Sequence, residues 1–199
     1  MLFRSSNVHA ADREHLAIAE TEIKRLDGVL REMLHFVRPI NMQAAYHSVS
    51  DIIEECIQLL HEKMNDSNIR VRWSKSDALP RIPVDSQKLK EAFLNIFLNA
   101  IAAMPRGGTI SIFAERAGTT GQEFISVEIV DNGMGIAREN IGKIFDPFFS
   151  TKSEGVGLGL SNVRKIVDAH GGTIEVQSTM NLGTSFKILL PLGGEAHLQ

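Results

Sequence analysis

"FISVEIVDNGMGI", residues 124–136, is a strand-like run that ends in one acid, one amide and two glycines. Gly133 and Gly135, at the exit of a buried strand, free the backbone for conformations a side chain forbids and let a partner approach closely. The carboxylate of Asp131 stands at the lip of whatever forms there.

Working outward, "GGTISIFAE" before this run and "FISVEIV" within it read as two strands joined by "RAGTTGQE", a hairpin. "GGTIEVQS" and "GTSFKILLP" read as a closing hairpin. "IRVRWS" alternates Ile69, Val71 and Trp73, the pattern of a half-buried strand. Upstream, "HSVSD" suggests a short strand, and Ser50 suits the N-cap of a helix whose apolar face is Ile53, Ile57, Leu60 and Met64. Asp85 to Met104 reads as a second helix, buried through Leu89, Phe93, Phe97 and Ile101, and Leu160 to Ala169 as a third. Ala137 to Ser161 is glycine-rich and too long for an ordinary connection, so it is suspected of function. Helices and strands alternate without regular strand–helix–strand repeats. The expected fold is α+β, a two-layer sandwich with a mixed, largely antiparallel sheet covered by helices on one face, preceded by one long helix.

That helix runs from Asp12 to about Arg38. Leu16, Ala19, Ile23, Leu26, Leu30, Met33 and Val37 recur in steps of three and four, a seam of the coiled-coil or bundle type. Gly28 weakens the helix by about 1 kcal/mol against alanine, and Pro39 ends it. A lone amphipathic helix is not stable by itself. The seam therefore calls for another helix, or packs on the domain that follows. The expected division is residues 1–40 and 41–199.

The 199 residues carry a net charge of −3, which gives no general affinity for nucleic acid or an anionic membrane. An apolar share of 43% and a charged share of 23% are those of a soluble globular protein. Cys56 is the single cysteine, which excludes an intrachain disulfide and fits a reducing compartment. No stretch approaches the roughly 20 apolar residues of a membrane span. The expected location is cytoplasmic, with membrane anchoring of a full-length protein left open.

Two further motifs carry chemistry. Asn95 and Asn99, spaced i,i+4, share one face of an otherwise apolar helix, where buried amides need partners. Alone, such a pair fits capping or interhelical hydrogen bonding as well as contact with a ligand or hydrated cation. In "STKSEGVGLGLSNV", Gly155, Gly157 and Gly159 alternate and run into a helix, so free N–H groups and a helix N-terminus favour an anion such as phosphate. A flexible loop is the other reading, and Lys152 is then a solvated charge. The pattern is neither a P-loop nor the dinucleotide fingerprint, whose third glycine would fall one residue later.

The order of the boxes is specific: Asn-x-x-x-Asn on a helix, D-x-G-x-G after a strand, "IFDPFFSTK", then "GVGLGL" before a helix. It resembles the ATP-binding catalytic domain of sensor histidine kinases, in the wider family of type II topoisomerases, mismatch-repair ATPases and heat-shock chaperone ATPases. The resemblance covers roughly residues 41–192. "NAIAAMPRGGTI" and "DPFFSTK" look most like the nitrogen-regulation branch, and "EHLAIAETEIKRLDGVLREMLHFVRP" like the second helix of the kinase dimerisation hairpin.

By this resemblance Asp131 accepts a hydrogen bond from the adenine amino group, while Gly133, Gly135 and Ile136 lie close to the base and Thr184 sits beneath it. Asn99 holds a magnesium ion bridging the phosphates, and Asn95 lies one turn earlier on the same wall. Gly155, Gly157 and Gly159, with Leu158 and Leu160 between and after them, form a lid hinge and phosphate cradle. Phe145, Phe148 and Phe149 anchor the lid's other end. Asn95, Asn99 and Lys152 are the implied catalytic positions, and ATP and Mg2+ the implied cofactors. The implied partners are a response regulator, the histidine-bearing helix of a full kinase and a second copy through residues 12–38.

The family's acceptor motif, close to H-[ED]-x-x-N-P, is matched by none of the seven histidines. His35 is followed by an aromatic residue where an acid should assist. His9 and His15 lack the acid next in line, and His47, His61, His170 and His197 read as surface or core residues. The chain is thus expected to begin in the hairpin's turn, without its acceptor helix, as part of a larger sensor. A non-catalytic nucleotide-binding module and a serine kinase of the anti-sigma type are the alternatives.

Overall fold

A computed structural model of the chain describes residues 10–76, 79–119, 122–152 and 155–193. It divides into two compact units, Met1–Pro39 and Ile40–Gln199. The described part of the first is one helix, α1 (Ala10–Val37). Leu16, Ile23, Leu26, Leu30 and Val37 along its seam are each more than half exposed. His9 and His197 lie outside the described residues, as does the side chain of His35.

The second unit opens with β1 (Ala45–His47) and α2 (Val49–Leu59). The N-cap is Ser48 rather than Ser50: Ser48 Oγ accepts from Asp51 N at 3.2 Å, and Ser50 is buried in the first turn. Both serines can cap, and the difference is which one has extended φ and ψ. The predicted single apolar face is also interrupted. The chain breaks at Leu60 and restarts as α3 (His61–Asp66), which still buries Met64.

Strands β2 (Ile69–Lys75) and β3 (Ile82–Val84) follow, then α4 (Ser86–Ala103). β3 was not anticipated, because a three-residue strand around Pro83 carries too short an alternation to read; it pairs antiparallel with β1. Asp85 caps α4, its Oδ1 accepting from Gln87 N and Lys88 N at 3.1 Å each. Strands β4 (Gly108–Thr119) and β5 (Gln122–Asp131) pair through most of the residues expected in their loop, Thr119 opposite Gln122. After α5 (Arg138–Ile141) come α6 (Gly159–Ala169), β6 (Thr173–Thr179) and β7 (Gly183–Pro191).

The main sheet has the order β2-β4-β5-β7-β6, with β2 and β4 parallel and every other pair antiparallel. Its inner face is set by strand alternation: Ile110 and Ile112 of β4, Ile125, Val127 and Ile129 of β5, and Phe186, Ile188 and Leu190 of β7 are all buried. They form one core with Ile53 of α2, Phe93 and Phe97 of α4, and Ile166 of α6. This is the expected α+β sandwich with a mixed sheet packed against helices. Cys56 belongs to that core, and burial pushes its thiol up to about 12, so it is not a nucleophile at neutral pH.

Candidate functional site

The inner-face alternation of β5 continues past Ile129 to Asp131, so the strand delivers a carboxylate where the next apolar side chain would go. Asp131 is only 5% exposed. Its Oδ1 accepts from Gly133 N at 2.8 Å, and the Thr184 backbone N–H lies near the carboxyl and favours its charged form. Burial raises its pKa, and these two N–H groups only partly offset that. The acid is therefore held at a cost and retains acceptor capacity beyond these backbone N–H groups.

The turn after it is fixed on three sides. Asn132 Oδ1 accepts from Thr109 N at 2.8 Å, Met134 N donates to Ala103 O at 3.0 Å, and Asn181 N donates to Met134 O at 2.8 Å. Gly135 has φ +69, and a Cβ there would run into the Thr179 carbonyl. A Cβ on Gly133 would lie 2.7 Å from Ala103 O. Both glycines are required by close backbone approach, as the sequence suggested, although the approaching groups here belong to the chain itself.

Ser178 was missed by sequence reasoning. Its Oγ accepts from Ile136 N at 2.8 Å, donates to Gly183 O at 2.9 Å, and lies 3.0 Å from Thr184 Oγ1. It joins the glycine turn to the β6–β7 turn. A serine two residues before a turn is too common for the sequence to single out.

The wall facing this corner is α4. Asn95 Nδ2 donates to Glu91 O at 3.1 Å, within its own helix. Its Oδ1 would lie 3.2 Å from a Cβ on Gly159, so the first residue of α6 packs directly against it. Asn99 Oδ1 accepts from Lys152 Nζ at 2.9 Å. Lys152 is exposed as a residue, but desolvation of its ammonium end lowers its pKa.

Residues 145–152 and 155–159 lead from α5 towards α6. Phe145 is buried, edge-on to Phe186 with centroids 6.4 Å apart, and the Arg164 guanidinium sits 4.1 Å above its ring. Phe148 has φ +67, rare for a bulky residue, and its N–H donates to Gly157 O at 3.0 Å. Gly157 has φ +77, and a Cβ there would meet Phe149 O at 2.6 Å. The two stretches are thus tied backbone to backbone. Leu158 is buried, so any ligand contact from it comes through the main chain, and half-buried Leu160 packs against the core.

Leu158 is also the N-cap of α6, and no side chain caps that end. The leading N–H groups of the helix thus lack the side-chain acceptor that most helices provide, beside Asn95 and near two glycines. Such an end suits a phosphate. Among the described residues no cluster of three or more His, Cys, Asp or Glu could hold a metal. A cation here would rest on Asn99 and on ligand oxygens, the usual manner for magnesium with phosphates. A cavity of about 210 Å3 lies elsewhere, lined by His47, Asp51, Glu55, Arg81 and Lys90 among others, with Lys90 and Glu55 paired.

An acid at the inner end of β5, paired amides on a covering helix and an uncapped helix after alternating glycines have the chemistry to take a nucleotide. Residues 84–194 match the model of the histidine kinase-, DNA gyrase B-, and HSP90-like ATPase family, and the chain belongs to that family. Within it, the chain is similar to the sensor histidine kinase ZraS of Escherichia coli (strain K12), 37% identical over 171 residues. That is 86% of this chain and 36% of the relative, so the chain spans about a third of the length of that kinase. The catalytic domain of histidine kinase ThkA, nucleotide-free, superposes with a TM-score of 0.67 at 34% identity, covering 76% of this chain and 97% of that one. Histidine kinase ThkA in complex with response regulator protein TrrA superposes at 0.73 with 27% identity, covering 96% and 54%. The second unit is an ATP-binding catalytic domain of the histidine kinase type. No helix among the described residues is long and apolar enough to cross a membrane.

Proposed function

We propose that this chain binds Mg-ATP between α4, the Asp131 turn and the start of α6, and transfers the γ-phosphoryl group to a histidine that is none of its own seven. The observation that carries this is the inward carboxylate of Asp131, buried with spare acceptor capacity at the strand's end. It accepts from the adenine amino group, with Gly133, Gly135, Ile136 and Thr184 shaping the base pocket. The N–H groups at Gly157 and Gly159 and the open end of α6 receive the phosphates. Asn99 would hold magnesium, which when bound neutralises phosphate charge. Its oxygen is occupied by Lys152 Nζ here, so Lys152 is positioned to exchange that oxygen for a phosphate. Asn95 and Phe148 complete the wall and the lid hinge.

The partners in this reading are a response regulator, as in the ThkA–TrrA complex, and an acceptor-histidine helix. The α1 seam serves as half of a dimerisation hairpin, pairing with a second copy. In this reading the chain acts in the cytoplasm and belongs with nitrogen-regulation-like kinases, a branch that the boxes "NAIAAMP" and "DPFFSTK" support. Calorimetric titration with ATP, with and without magnesium, tests the binding half. One-to-one binding strengthened by magnesium is expected, and a folded chain that binds no adenine nucleotide overturns the reading.

A further inference from the structure

Glu91 stands on α4 one turn before Asn95 and two before Asn99, on the same face. An acid so close to a triphosphate would repel it unless its charge were engaged, and here both oxygens are. Asn162 Nδ2 donates to Oε1 at 2.6 Å and Lys88 Nζ to Oε2 at 3.3 Å. A carboxylate only accepts, so the amide nitrogen of Asn162 must face it. Such charge-assisted bonds are the short, strong kind.

Asn162 lies in the first turn of α6, the uncapped end assigned above to the phosphates. Its contact with Glu91 therefore spans the two walls between which the nucleotide sits. On the same side, the first residue of α6 packs on the Asn95 amide. The Asn95 side chain in turn hangs from the carbonyl of Glu91 at 3.1 Å. A single residue thus fixes the amide wall through its backbone and the phosphate cradle through its side chain.

We infer that Glu91 and Asn162 are positioning residues, a polar strut that sets the distance between the Asn95–Asn99 wall and the N–H groups of α6 that receive phosphate. The inference rests on the Mg-ATP reading and assigns neither residue direct contact with nucleotide. The strut acts on the phosphates and not on the base, because the adenine corner at Asp131 is held by β5, β7 and Ser178 instead.

The test compares Mg-ADP affinity by calorimetry with adenosine binding by chemical-shift titration. Glu91→Ala and Asn162→Ala should each weaken Mg-ADP by about tenfold, the scale of one hydrogen bond to a charged group, and leave adenosine unchanged. Glu91→Gln, whose side-chain oxygen still accepts from Asn162, should restore most of the loss. The double variant should be no worse than either single one. Unchanged Mg-ADP affinity, or an equal loss for adenosine, overturns the strut. Should Glu91→Ala fail to fold, Asn162→Ala, which removes the partner and leaves the carboxylate with Lys88, decides alone. A parent chain that binds neither ligand overturns the nucleotide reading itself, and is distinct from variants that bind like the parent.

Discussion

Asp131 lies directly opposite Thr184 in the antiparallel β5–β7 ladder, both on the face that otherwise buries Ile129 and Phe186. The last rung of the core-facing ladder is polar where each earlier one is apolar, and the Thr184 backbone N–H near the Asp131 carboxyl favours its charged form. The sheet ends in a buried acceptor site, and the sheet's own register builds it.

Asp131→Asn should separate binding from stability. Replacing the acceptor-only carboxylate should weaken ATP by about 1.5–3 kcal/mol, the range for a hydrogen bond to a charged group. Because burial raises the Asp131 pKa, its ionised form burdens the empty fold above that pKa. The variant should therefore melt at the same or a higher temperature than the parent at pH 7.5. Calorimetry and thermal melts check both halves, and unchanged affinity removes Asp131 from the site.

Asn99→Ala tests the metal. Alanine is the better helix former by up to about 0.7 kcal/mol, and the substitution removes the oxygen that Lys152 now holds. The expected outcome is an intact melting transition with loss of the extra ATP affinity that magnesium confers. A variant that unfolds while its folded remainder keeps the magnesium effect would make Asn99 structural.

His170 gives the fold a pH dependence. Its ring lies between α6 and the start of α4, Nδ1 on Ile166 O at 2.8 Å and Nε2 accepting from Asp85 N at 3.0 Å. A ring that accepts at Nε2 is neutral, and burial lowers its pKa below 6.5 despite those contacts and the nearby Asp85 carboxylate. The unfolded chain then binds the proton first on acidification. This contribution is fully present above about pH 6.5 and is lost as pH falls towards the folded value. Urea unfolding at pH 7.5 and 5.5 should show lower stability at 5.5, with a smaller drop in His170→Gln. An equal drop in both would place the dependence elsewhere.

The α1 seam predicts association. Burying a large aliphatic side chain is worth roughly 1.5–3 kcal/mol, and Leu26 and Leu30 are each more than half exposed in a single chain. Sedimentation should find the parent dimeric and the Leu26→Glu, Leu30→Glu double variant monomeric, with ATP affinity unchanged. A parent that sediments as a monomer contradicts the pairing.

Much of this architecture was legible because local signals were strong. Asp85 and Met104 bound α4 as a cap and an apolar run allow, and the four boxes lie on the elements where their composition put them. What escaped had weak local signals. β3 is three residues long and contains Pro83, Ser48 and Ser50 are equivalent caps until backbone angles decide, and Leu60 breaks a helix with no glycine or proline to announce it. Ser178 and the Glu91–Asn162 contact depend on register and helix packing across 42 and 71 residues, which no local pattern encodes.

The central claim, phosphoryl transfer to a histidine on another segment, is tested most directly by labelling. The chain is incubated with magnesium and γ-labelled ATP together with a separate polypeptide carrying a kinase acceptor helix. The account predicts label on the added helix that is stable to alkali and lost in acid, as a phosphohistidine is, and none when Asn99→Ala replaces the parent. Label that survives acid, or ATP binding with no label on any histidine, would contradict it.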